Sequence, residues 1–138
     1  MNDIHTFNIT TKKWNKLECK GSIPSPRSSH IGVIYSSKNK AFSGIEKSQS
    51  FQDEAYLYII GGRNKEPKYF GDVYKLDLLN NQWSIVDVIG YPPSMYDHQA
   101  SVYRNSIFIW GGYGIEGFYY FNLFFYYFFY YFIYFIFN

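Results

Sequence analysis

An apolar run closed by two glycines occurs twice in this chain: Tyr58-Ile59-Ile60-Gly61-Gly62 returns 50 residues later as Phe108-Ile109-Trp110-Gly111-Gly112. A second pair of matching segments accompanies it. Asp3-Ile4-His5-Thr6-Phe7-Asn8, followed by Trp14, returns as Asp72-Val73-Tyr74-Lys75-Leu76-Asp77, followed by Trp83, at a spacing of 69. The two spacings differ by 19, and Ser36 to Glu54 is a stretch of 19 mostly polar, serine-rich and charged residues. Without it both spacings are 50, so the chain repeats one unit and carries a surface-loop insertion (36–54) at a single turn. A unit of this kind cannot bury its apolar face alone and must stack on its neighbours.

The local signals within the unit are those of strands. Ile31 to Tyr35, Ala55 to Ile60, Val73 to Leu78, Trp83 to Val88, Ala100 to Tyr103 and Ile107 to Trp110 are short runs rich in β-branched and aromatic residues, separated by Gly, Pro, Asn and Ser. Thr10-Thr11 and Asn80-Asn81 fall between such runs at hairpin spacing, which predicts antiparallel pairing of their flanks. No useful length of the body has helical periodicity.

The 138 residues have the length of one domain. With 13 Lys and Arg against 11 Asp and Glu, the formal charge is only +2, and no basic tract marks a nucleic-acid footprint. Aromatic residues reach 24%, unevenly spread: Phe118 to Asn138 contains nine Phe, seven Tyr, two Ile, one Leu and two Asn, with no charge. The chain therefore divides near Gly117 into a folded body, 1–117, and a low-complexity tail, 118–138. The run 118–137 is long enough for a membrane span, although its tyrosines are scattered through it rather than gathered at the ends. All five residue types of the tail also have codons made only of A and T, so it reads first as mistranslated non-coding sequence, with the membrane span as the rival. Either way it is β-prone and lacks a gatekeeper charge.

The single cysteine, Cys19, excludes an internal disulfide and fits a reducing compartment. The N-terminus has neither the apolar core nor the cleavage site of a signal peptide. The expected location is cytoplasmic, with membrane attachment through the tail as the alternative.

A period near 50, four short strands, a diglycine after the second and a Trp eleven residues after an Asp-apolar-aromatic start together resemble the kelch repeat, one blade of a β-propeller. The resemblance covers roughly residues 3 to 117. Pro24-Ser25-Pro26-Arg27-Ser28-Ser29-His30 resembles the family's segment entering the innermost strand, and Pro93, Met95 and His98 hold its second copy. That copy is one residue shorter and has Met95 or Tyr96 where the first has Arg27. The implied fold is all-β: an incomplete kelch β-propeller of antiparallel four-stranded blades, two to two and a half repeats long, carrying the aromatic tail. The chain then reads as a fragment of a larger propeller protein.

Trp14, Trp83, Gly61, Gly62, Gly111 and Gly112 are expected to be scaffold, since Trp offers area for burial between blades and glycine permits close backbone approach. His30 and His98 occupy equivalent repeat positions with no other ligand at metal spacing, so they read as structural, and no metal or cofactor is expected. In the kelch family the loops from second to third and from fourth to first strands share one face and commonly bind a partner. Carried to this chain, that face holds Arg63, Asn64, Lys65, Glu66, Lys68 and Tyr69 from one loop and Ser25, Arg27 and Ser28 from another. Tyr91, Met95, Tyr96, Asp97, Tyr113 and Glu116 join them. Arg27 also reads as a residue that packs or pairs within the blade.

No catalytic constellation is visible, and Gly111-Gly112-Tyr113-Gly114 lacks the helix and Lys of a phosphate loop. The expected function is a noncatalytic protein-interaction module, a scaffold or adaptor whose partner is another protein and not nucleic acid. The alternatives are an accessory kelch domain separated from an enzyme, or a membrane-attached or nonfunctional fragment.

Overall fold

The computed structural model describes residues 3–37, 54–66, 68–90 and 93–114. The tail and most of the insertion, with the expectations attached to them, lie outside the described residues. Among those described, nine strands and no α-helix are present. β1 (Ile4–Asn8) and β2 (Lys13–Leu17) form one antiparallel hairpin. A four-stranded antiparallel meander follows: β4 (Ile31–Ser36), β5 (Ala55–Ile60), β6 (Val73–Asp77) and β7 (Gln82–Ile85). The two-residue β3 (Lys20–Gly21) adds in parallel to the outer edge of β7. A last hairpin joins β8 (Met95–Tyr103) to β9 (Ser106–Gly114). In repeat terms these are a half-blade, a whole blade and a second half-blade.

The hairpin turns are made by the same residue position in each unit. In the whole blade, Asp77 Oδ1 accepts from the amides of Leu79 (2.8 Å) and Asn80 (3.2 Å), and Asn81 turns left-handed at φ 53°. In the first half-blade, Asn8 Oδ1 accepts from Thr10 (3.0 Å) and Thr11 (2.8 Å), and Lys12 turns at φ 55°. Short side chains that bond their own backbone two and three residues on are what such turns select.

Val33, Ile60, Phe70, Leu76, Trp83 and Met95 are buried, and they lie in the whole blade, its outgoing loop and the first residue of β8. Leu76 and Trp83 face each other across β6 and β7, 0% and 4% exposed. Their repeat counterparts, Phe7 and Trp14, are paired in the same way across β1 and β2 yet remain 46% and 69% exposed. Their rings lean against each other at 44°, with centroids 5.0 Å apart. Four strands bury this pair where two do not, so Trp83 is core and Trp14 lies on an open face.

Three details differ from the sequence reading. β8 starts at Met95, five residues before the run that announces it, because Met95 and Tyr96 pair with Gly114 and Tyr113. Gly111 and Gly112 consequently lie inside β9, whereas Gly61 and Gly62 follow the end of β5. The parallel β3 has no sequence signal at all, since two residues carry no periodicity. The insertion leaves from the β4–β5 end, where Ser37 and Glu54 are joined by two hydrogen bonds: Ser37 N to Glu54 O, 3.0 Å, and Glu54 N to Ser37 Oγ, 3.1 Å. This is the opposite end of β5 from Gly61.

Candidate functional site

The segment entering β4 is anchored by Arg27, whose side chain is 3% exposed. Its guanidinium grips the Asp72 carboxylate with both terminal nitrogens; Nη2 to Oδ2 is 3.1 Å, and Nη1 to Oδ1 is the shorter arm. Nη1 also donates to the Gly61 carbonyl at 3.0 Å and Nε to the Ser25 carbonyl at 3.1 Å. The Phe70 ring lies 4.0 Å from Cζ and the Tyr74 ring 5.3 Å. A planar fork, bidentate to a carboxylate and flanked by aromatic rings, holds the chain before β4 to the start of β6.

That anchor frames the loop between β5 and β6. Arg63 bridges two neighbours, exchanging backbone hydrogen bonds with Ser28 (2.8 and 2.9 Å) and pairing with Tyr69. Asn64 N donates to the Lys68 carbonyl, and Lys68 N to Asn64 Oδ1, both at 3.2 Å. The loop is thereby closed on itself. The next hairpin is tied alongside, since Gly62 N donates to the Met95 carbonyl (2.8 Å), Met95 N to Phe70 O (3.2 Å) and Asp97 N to Ser29 O (3.0 Å).

These ties bring three tyrosines together. Tyr96 stacks on Tyr69 with centroids 5.2 Å apart and planes at 10°, and on its cross-strand partner Tyr113 at 5.5 Å and 27°. The Arg63 guanidinium sits 4.6 Å from the Tyr96 centroid. Arg63 and Tyr113 are exposed, and Tyr69 and Tyr96 half-buried. Each ring pair is worth about 0.5–1.5 kcal/mol beyond its area. The result is a preorganised aromatic surface with a cation on it.

The two repeat histidines contact glycines. Built on Gly62, a Cβ would meet His30 Cβ at 2.9 Å; built on Gly112, it would meet His98 Cβ at 2.9 Å. His98 is buried, and burial pushes its pKa below the usual histidine value. His30 is more exposed as a residue, and burial of its ring followed by the nearby Arg27 charge lowers its pKa too. Burial raises the Cys19 thiol, which is half-buried. No group of three metal-ligating side chains lies together among the described residues. Nor is any helix among them long and apolar enough to cross a membrane.

Of the residues expected on the partner face, Arg63, Lys65, Glu66, Lys68, Ser25, Ser28, Asp97 and Tyr113 are exposed, and Asn64, Tyr69 and Tyr96 half-buried. Met95 is buried, and Arg27 is consumed by its ion pair, so neither presents a side chain on that face. Tyr91 and Glu116 lie outside the described residues. Asp72, which opens the repeated Asp-apolar-aromatic segment, is the counter-ion of Arg27. Its signal was available in the eleven-residue spacing from Gly61, but 45 residues separate it from its partner in sequence.

A four-stranded antiparallel meander with a matching hairpin on either side, the second tied to it by backbone hydrogen bonds, is the pattern of a partial β-propeller. The Kelch motif matches residues 56–87, within the whole blade. Among curated proteins, the chain is 35% identical over 101 residues to Host cell factor 2 of Homo sapiens, covering 72% of this chain and 11% of that one. It is 28% identical over 117 residues to Kelch repeat-containing protein 2 of Saccharomyces cerevisiae, covering 80% and 12%. With Dynein regulatory complex subunit 7 of Chlamydomonas reinhardtii it is 26% identical over 117 residues, covering 84% and 9%. The chain is a kelch-repeat chain. It spans about a tenth of the length of these relatives.

Proposed function

We propose that this chain is a noncatalytic binding module whose partner is another protein, engaged through the face made by Arg63, Tyr69, Tyr96 and Tyr113. The observation that carries the reading is the stack of three tyrosines under an arginine. Rigid aromatic rings and Arg supply large contact area at little entropic cost, which is the composition of interface hot spots. Arg63, Lys65 and Lys68 outnumber the carboxylates of Glu66 and Asp97 on this face, so it favours a partner segment with apolar side chains and carboxylates. A scaffold or adaptor role within a larger propeller protein, in a reducing cytoplasmic setting compatible with its single thiol, follows from the same reading.

The test is affinity capture on the full chain, wild type against Arg63→Glu and Tyr113→Ala, with Arg104→Glu in the β8–β9 turn as control. A partner retained by wild type and control and lost from both face variants supports the reading. Equal retention by all four chains overturns it.

A further inference from the structure

Ser25-Pro26 is the one serine or threonine followed by proline in the whole sequence. It lies in the irregular segment between β3 and β4, where Pro24 is buried and Ser25 and Pro26 are exposed. A proline after the serine biases it toward extended backbone and presents no amide of its own, which is the form that proline-directed serine/threonine kinases accept.

The hydroxyl of this serine shares a cation with a carboxylate. Arg27 Nε donates to the Ser25 carbonyl at 3.1 Å and Nη2 to Ser25 Oγ at 3.3 Å. The same Nη2 donates to Asp72 Oδ2 at 3.1 Å, while Nη1 serves Asp72 Oδ1 and the Gly61 carbonyl. One guanidinium, its side chain 3% exposed, therefore joins the surface hydroxyl to an Asp72 side chain that is 29% exposed. We propose that Ser25 is a phosphorylation site whose phosphate competes with Asp72 for Arg27 and so releases the anchor between the segment entering β4 and the start of β6.

The chemistry is that of a proline-directed kinase using ATP. Ser25 Oγ forms a bond to the γ-phosphorus as the bond from that phosphorus to the β–γ bridging oxygen breaks; ADP leaves with that oxygen, and the hydroxyl proton passes to solvent. The phosphate brings a charge of about −1.5 to −2 and three strong acceptor oxygens to a place where two Arg27 nitrogens already point. One guanidinium then faces two anions that repel each other, and the phosphate has the larger charge. Asp72 already keeps solvent contact, so its carboxylate is the one that gives way to water. All of these groups lie between β3 and β6. A consequence for partner capture rests on the binding face proposed above, but the modification and the loss of the anchor do not.

The experiment incubates the folded full chain with ATP and a proline-directed serine/threonine kinase, locates phosphate by peptide mass spectrometry, and measures the urea midpoint before and after. One phosphate on the peptide carrying Ser25, absent from Ser25→Ala, and a lowered midpoint are expected. In Asp72→Asn, which has no carboxylate charge to displace, the same modification should cause no such loss. Ser25→Glu should lie below Ser25→Ala in midpoint, whereas Ser22→Glu, at an exposed serine three residues earlier, should match wild type. No phosphate on Ser25 of the folded chain overturns the proposal. A midpoint unchanged or raised by the phosphate also overturns it, since Arg27 then keeps Asp72, and so does an equal loss in Asp72→Asn. Neither readout involves a partner, so the outcome is independent of affinity capture.

Discussion

A side chain on Gly61 would bring its Cβ within 2.9 Å of His98 Cε1 and 2.5 Å of the Met95 carbonyl, so the glycine after β5 is where the following repeat enters. Gly61 also turns at φ 62°, a conformation that side chains rarely adopt. One position thus combines a left-handed backbone with the seat of the next blade's histidine.

Gly61→Ala is expected to destabilise the fold by about 2–4 kcal/mol, from the backbone strain together with overpacking against His98 and a carbonyl that cannot move aside. Gly90 provides the comparison, with φ 96° and nothing within 4 Å of a built Cβ. Gly90→Ala carries the conformational cost alone, about 1–2 kcal/mol. Urea midpoints of the two variants measure the difference.

The Arg27–Asp72 pair joins segments that no strand connects. Asp72→Ala leaves a buried guanidinium without its carboxylate and should cost about 2–4 kcal/mol, at or below the range for fully buried pairs because Asp72 keeps some solvent contact. Arg27→Lys keeps the charge but loses the fork and its seat on Phe70, and is expected to cost at least about 1 kcal/mol. A double-mutant cycle with Asp72→Ala isolates the coupling.

Stability should fall as the solution is acidified through the histidine range. The folded pKa of His98 is depressed by burial, so below about pH 6.5 the unfolded chain binds a proton that the folded chain refuses. The contribution is fully present above the unfolded value and is lost as pH drops toward the folded one. His30 shifts in the same direction, so His98→Phe should reduce the pH dependence of the melting temperature between pH 7 and 5 without abolishing it. A slope unchanged by His98→Phe would contradict the assignment.

The two repeat tryptophans should respond differently to truncation. Trp83→Ala empties a buried position and is expected to cost about 3–5 kcal/mol, and Trp83→Phe a smaller part of that. Trp14→Ala should cost under about 1 kcal/mol, because its ring is mostly in water. Chemical denaturation checks both.

Much of this molecule was legible as a sequence because repetition writes the same physics twice. The 50-residue unit located the diglycines, the paired tryptophans and the hairpin turns. Asn8 and Asp77 do occupy the same turn position in their respective hairpins. Of the residues expected on the partner face, Arg63, Tyr69, Tyr96 and Tyr113 lie together as one aromatic surface. Arg27 was harder to assign, since both a packed and an exposed role fit an arginine in a proline-rich segment.

Sequence alone determined the order of the strands other than β3, the repeat boundaries and which residue types face each other within a hairpin, since these follow from local patterning with a period of two. Tertiary structure decided burial. Trp14 and Trp83 are the same residue in the same motif, but only Trp83 lies in a four-stranded blade with a short parallel strand along its edge. It also decided that Arg27 serves Asp72 rather than a ligand. Burial and pairing depend on what lies next to a residue in space, and the pattern of one segment contains no information about the neighbour that covers it.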